Sequence, residues 1–271
     1  MSIALHAKKI AVGLIAFSIA VGAYFFISAP QVQALESLDS LQAGDLIRGE
    51  TFSAVYYYGE DGFRYVFPNQ KTYDTWYSNF DDVKFISDLD LGLIQIGGNV
   101  RYRPGVRMVK INSDPKTYAV DTDGVLRHVT SESVATDLYG SQWNTQIDDV
   151  PDGFFTNYSI GDAIDSSSQF NVSSTTSAAT SISVNRELQA PAEISITDSG
   201  YSPIDVTINA GESVRFMNNG TVNHTATSED LSWGTGTITP GGSYVQTFKD
   251  PGTYTFFDSY DSSNTGAVFA N

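Results

Sequence analysis

Tyr254, Phe256 and Asp258 alternate along one short run near the C-terminus, and a strand there places all three side chains on the same face. If the two rings point inward, so does the carboxylate. An unpaired carboxylate inside a protein costs several kcal/mol, so Asp258 requires a metal ion, a histidine or backbone amides. Asp261 follows three residues later. Two such carboxylates could hold separated pKa values and serve as acid and base in glycan hydrolysis. Carboxylates three apart in an acidic loop are commonplace, however, and the chain has no Ser/His/Asp order, phosphate loop or HExxH. The expectation is therefore a protein that is not an enzyme. No cysteine occurs anywhere, which removes thiolate chemistry and disulfides together and leaves packing to hold the core.

The run from Gly211 reads GESVRFMNNGTVNHTATS, followed by TPGGSY and then by DPGTYTFFDSYDSSNTGAVFAN. This part of the chain resembles a cupredoxin. In that family one His follows an Asn-rich turn, and three further ligands come as Cys-x-x-His-x-x-Met after a PGTYxY-type strand. The resemblance puts His224 at the first position and Asp258, Asp261 and Asn264 at the other three, with Gly266 where the family has its glycine. It implies a Greek-key β-sandwich over 189–271. Without a Cu to Cys bond the ordinary type 1 centre is excluded. Three readings of the corner compete. First comes a metal-free pair in which Asp258 accepts from His224 and no cofactor is needed. Next is a divalent ion on His224, Asp258, Asp261 and Asn264, a hard donor set suited to Mn²⁺, Ca²⁺ or Zn²⁺. Last is type 2 copper with His224 as sole nitrogen ligand, disfavoured by ligand softness.

Formal net charge is −16, and Lys8 and Lys9 are the only charged residues within 1–34. Such a surface repels phosphate backbones and anionic membranes, so no nucleic-acid partner is expected, and metal cations or basic partners suit it better. Those two lysines precede an uncharged run from Ile10 to Ala29, and Val32-Gln33-Ala34 offers small residues at a cleavage position. Residues 1–34 are read as a signal peptide or a retained anchor, with membrane contact only through 10–29. Either way the body of the protein is exported to the cell surface or the extracellular space.

Between this segment and the sandwich lies an internal duplication. Leu46, Tyr56 and Asp61-Gly62 match Met108, Tyr118 and Asp123-Gly124 at an offset of 62, and one insertion later Arg64, Val66 and Asp74 match Arg127, Val129 and Asp137 at 63. Each unit, about 44–105 and 106–164, reads as two strands, a tight Asp-Gly turn, a third strand and a short helix capped by Asn69 or Ser131. Gly161-Asp162-Ala163-Ile164 echoes Gly44-Asp45-Leu46-Ile47 and closes the second unit. The whole, 35–164, resembles aromatic-rich tandem modules of exported bacterial surface proteins.

The aromatic residues of the first unit serve mainly as core and cross-strand packing. Tyr57, Trp76 and Tyr77 are the candidates for an exposed surface that stacks on cell-wall glycan or another surface protein. Residues 165–188, rich in Ser and Thr with few large apolar side chains, read as a flexible spacer. The expected protein is mainly β, a tandem β-hairpin-plus-helix repeat domain followed by a cupredoxin-like Greek-key sandwich. Its role is structural or partner-binding. Copper-based electron transfer is the alternative, and glycan binding or processing a second.

Overall fold

The computed structural model describes residues 34–271; residues 1–33 of the segment read as signal peptide or anchor lie outside them. The first unit is a six-stranded sheet built from β1 (Leu35–Glu36), β2 (Leu46–Gly49), β3 (Tyr56–Tyr58), β4 (Arg64–Val66), β5 (Val83–Ile86) and β6 (Ile96–Asn99). Helices α1 (Gln70–Asp74) and α2 (Asp88–Leu93) lie between its strands in sequence. The second unit contains β7 (Met108–Ile111), β8 (Asp114–Val120), β9 (Val125–His128), α3 (Glu132–Tyr139), β10 (Ile147–Asp149), α4 (Asp152–Phe155) and β11 (Ser159–Ile160). The strand orders β5-β2-β3-β4-β6 and β10-β7-β8-β9-β11 are alike, with antiparallel hairpins inside and parallel strands at both flanks.

Backbone pairing corrects the second offset. Tyr56 faces Val66 in one hairpin and Tyr118 faces His128 in the other, so the constant step remains 62 and Val66 corresponds to His128. The two turns have equal length, closed by Gly59 N–H to Phe63 O and Asp121 N–H to Val125 O, and leave no room for an insertion. Gly62 and Gly124 adopt positive φ at the turn ends. The caps Asn69 and Ser131 are also 62 apart, accepting from Thr72 N–H at 2.9 Å and Val134 N–H at 3.3 Å.

Alternation in β3 sends Tyr57 into one core, with Leu46, Tyr65, Tyr73 and Val83, while Tyr56 and Tyr58 pack on the opposite face beside Ile47 and Ile86. Tyr57 is 3% exposed, so it offers no surface to a glycan or a partner. Trp76 and Tyr77 are half-buried. The indole N–H of Trp76 donates to Arg101 O, its ring carries the Arg103 guanidinium, and Tyr77 packs on Phe67 and Tyr73. Burial of the rings is the stronger effect here, because a small hairpin sheet has little else to form its core.

The segment expected to be a flexible spacer is folded. Two helices, α5 (Val172–Ala178) and α6 (Ile182–Asn185), start on Asn171 and Ser181 caps. Its few apolar residues reach the cores of both units: Phe170 joins Met108 and Val134, and Ile182 joins Leu46 and Tyr57. The Ser183 hydroxyl lies 2.7 Å from the Tyr57 hydroxyl. Low apolar content suggested a tether; the positions of those residues, and serines used as caps, make it a strap.

The remainder forms a sandwich of two four-stranded sheets. Its strands are β12 (Ala192–Thr197), β13 (Gly200–Ser202), β14 (Asp205–Ile208), β15 (Ser213–Asn218), β16 (Thr227–Ser228), β17 (Ser243–Thr247), β18 (Gly252–Phe257) and β19 (Thr265–Ala270). The sheets run β13-β12-β15-β17 and β14-β19-β18-β16. Ile194, Ile196, Val214, Phe216, Phe256 and Val268 pack together in the core between them. Residues 34–271 form one compact unit. The Gln95 side chain contributes by bonding both backbone groups of Val245 on edge strand β17, at 2.8 and 3.0 Å.

Candidate functional site

Three segments meet at one end of the sandwich: the turn after β12, the loop between β15 and β16, and the loop after β18. Asn218, fully buried at the end of β15, shapes the middle one. Its amide donates to Val222 O and Ile238 O, both at 2.8 Å, and its carbonyl accepts from Gly220 N–H at 2.9 Å. His224 is then pinned by paired backbone bonds to Ile238, at 3.1 and 2.8 Å. On the other side, β18 delivers Phe256 into the core, and two residues on Asp258 follows it inside with no exposed surface. Period two thus holds one residue beyond the strand's end.

Asp258 Oδ2 lies 2.6 Å from His224 Nδ1. A carboxylate only accepts, so Nδ1 carries the proton. The other oxygen, Oδ1, accepts from Thr225 N–H at 3.0 Å, Thr225 Oγ1 at 3.3 Å and Tyr260 N–H at 3.0 Å. Three of the four donors thus converge on Oδ1, and among the described residues His224 is the one partner of Oδ2. Tyr201 supports the loop by donating its hydroxyl to Thr225 O at 2.5 Å. Burial, with the Asp258 charge adding, pushes that phenol above its usual range, so it stays a donor.

Spacing along the chain did not single out Asp198. It sits in the turn between β12 and β13, and its Oδ1 faces His224 Nε2 at 3.4 Å. Thr221 binds it through the backbone N–H and the hydroxyl, both at 2.7 Å. Those bonds hold the Asp198 carboxyl down at about 2, the Thr221 hydroxyl contributing most and His224 less. Gly220 passes so close to Asp198 and His224 that a Cβ there would collide with the carboxylate. Because the folded-state value lies below the ordinary 3.8, Asp198 adds stability at pH above that value, and the contribution is lost as pH falls toward 2. Urea unfolding between pH 5 and about 2 should show this loss, and Thr221→Val should flatten the profile in that window.

Asp261 and Asn264 do not join the pair. Asp261 is exposed, and its Oδ1 accepts from Ser263 N–H at 3.1 Å and Ser263 Oγ at 2.7 Å, bonds that lower its carboxyl below the usual range. Asn264 turns its amide toward Asp261 Oδ2 at 3.4 Å, while its backbone carbonyl accepts from Asp258 N–H at 3.0 Å. A local turn around Ser263 captures both side chains because neighbours in sequence compete better than a distant imidazole. The four residues of the expected metal set are thereby split, and among the described residues no group of three or more His, Asp or Glu side chains is placed to hold an ion.

The donor set does not fit a type 1 copper ion. Oxygen stands where a thiolate would be needed, and the Nδ1 lone pair of His224 is replaced by a proton directed at Asp258. Both ring nitrogens face carboxylates. The arrangement is chemically an Asp–His–Asp chain that joins three loops.

Residues 170–270 match the family model described as the cupredoxin-like domain. Among solved structures, a purple cupredoxin from Nitrosopumilus maritimus is similar at 22% identity over 30% of this chain and 99% of its own, with a TM-score of 0.28. A Cu-containing nitrite reductase from Thermus scotoductus SA-01 is similar at 21% identity over 31% of this chain and 23% of its own, TM-score 0.29. Amicyanin from Paracoccus versutus gives 24% identity over 30% and 81%, TM-score 0.28. A search of curated proteins returns no match. The family match thus takes in the sandwich, 192–270, as a cupredoxin-like domain, together with part of the strap that precedes it.

Proposed function

We propose that this is an exported, non-catalytic surface protein in which the cupredoxin-like domain has a structural or partner-binding role and binds no copper. One observation carries the reading: the fully buried Asp258 carboxylate bonds His224 Nδ1 at 2.6 Å through one oxygen and accepts from Thr225 and Tyr260 through the other. An ion that took His224 Nδ1 as a ligand would displace the hydrogen bond to Asp258 in a buried site, which costs more than binding in an open cage. Asp258 is equally withdrawn from acid–base work, since it has no exposed surface for a substrate atom to reach.

Export is supported by Lys8 and Lys9 before the uncharged run from Ile10 to Ala29. Among the described residues no helix is long and apolar enough to cross a membrane. Partners would be other surface proteins or cell-wall glycan, reached by a module and a sandwich held in fixed relation.

The test is metal analysis of the purified protein, followed by calorimetric titration with Cu²⁺, Mn²⁺, Zn²⁺ and Ca²⁺ on wild type and Asp258→Ala. The wild type is expected to contain no stoichiometric metal and to give no saturable heat. Stoichiometric copper with a reversible potential would establish the electron carrier instead. Tight uptake of Mn²⁺, Zn²⁺ or Ca²⁺ that Asp258→Ala abolishes would establish the divalent-ion site.

A further inference from the structure

A cleft of about 370 Å³ lies between the first unit and the outer edge of the sandwich, and its lining includes Ile238, whose backbone pairs with His224. That volume is within the range of small-ligand sites, which favour domain interfaces. Leu41, Tyr58 and Ile94 form part of one wall, and Met217, Ser243 and Tyr244 part of the other. The bidentate bond between Gln95 and Val245 joins the walls, so the cleft is preformed.

Its chemistry narrows the occupant. The only charged lining groups are Asp39 and Arg215, and Arg215 already leans on Glu193 at 3.7 Å. An anionic ligand would find no cationic cluster here and a protein of net charge −16 around it. No histidine lines the cleft, which argues against a metal. A peptide adding to the edge of β17 would compete with Gln95, which already occupies both backbone groups of Val245. What remains is a lining of apolar side chains, two tyrosine rings and the hydroxyl groups of Tyr58, Thr239, Ser243 and Tyr244. Hydroxyls both donate and accept, and ring faces take up C–H surface.

We propose that this cleft binds a neutral saccharide, seated between Tyr58 and Tyr244 with its hydroxyls met by Tyr58, Ser243 and Tyr244. It stands apart from the residues first considered for glycan contact and requires no metal. The pyranose ring matches the site because it presents apolar C–H faces and a rim of groups that both donate and accept.

Saturation-transfer NMR on the full chain with maltotriose, cellotriose and chitotriose tests it. At least one probe should give a saturable signal near the millimolar range. Tyr58→Phe and Tyr244→Phe, which keep the rings, should each weaken it roughly three- to tenfold. Ser243→Trp, which fills the cleft, should abolish it. The proposal is overturned if none of the three sugars saturates, or if binding survives Ser243→Trp in a variant that melts like wild type. Should that variant fail to fold, the two phenylalanine variants decide, and undiminished binding in both would refute the site. Since the readout is sugar contact, its failure leaves the metal-free reading of His224 and Asp258 untouched.

Discussion

Asp258→Ala is expected to destabilise the protein by about 3–5 kcal/mol, the range for removing one partner from a buried pair. The loss has several sources. His224 Nδ1–H loses its acceptor at 2.6 Å, the backbone N–H groups of Thr225 and Tyr260 lose theirs, and all lie where water cannot readily replace the oxygen. Asp258→Asn should cost less. One carbonyl oxygen can still serve Thr225 and Tyr260, and the carboxamide nitrogen can donate to a His224 ring whose proton has moved to Nε2. A cycle with His224→Ala separates the pair from its surroundings. The double variant should be less destabilised than the sum of the single ones, because the second removal no longer orphans a partner. Urea midpoints at pH 7 with unchanged slopes are the measurement. Additive losses, or a value for Asp258→Ala below about 0.5 kcal/mol, the range of an ordinary surface change, would show that the carboxylate does not hold the three loops together.

For Ile182→Ala the expectation is a loss of about 2–5 kcal/mol, as for other buried Ile to Ala changes. A residue in a free spacer would give about 0.5 kcal/mol or less. Ile182 is 1% exposed among Leu46, Tyr57, Tyr65 and Val83. Its removal empties a space bounded by stiff aromatic rings that relax little. Limited proteolysis adds a second readout, with cleavage between 165 and 188 expected to be slow in wild type and fast in the variant. Rapid cleavage of the wild type would restore the tether.

Much of the architecture was legible beforehand because it depends on local rules. Glycine at positive φ marked both hairpin turns, Asn69 and Ser131 marked two helix starts, and alternation marked the strands. The step of 62 was visible in matched residues, but its apparent change to 63 came from side-chain coincidences. Arg64 with Arg127 and Val66 with Val129 are identities, yet the hydrogen-bonded register aligns Val66 with His128. Side-chain identity says less about alignment than equal turn length does. The strap from 165 to 188 was misread for a related reason. Its composition is that of a linker, and composition cannot tell whether each of a few apolar residues finds a core.

The chain alone shows that it contains no cysteine, and it led to the expectations of a sandwich over 189–271 and of an inward Asp258 wherever Tyr254 and Phe256 face the core. These follow from residue type and from a period of two, which need only neighbours along the strand. Tertiary structure decided how the inward charge is satisfied. Asp198 comes from a turn 26 residues before His224, while Asp261 and Asn264, spaced to join the pair, turn instead to Ser263. A hydrogen bond is settled by which donor arrives at about 3 Å with the right angle, and that competition among loops is resolved only once the two sheets have packed.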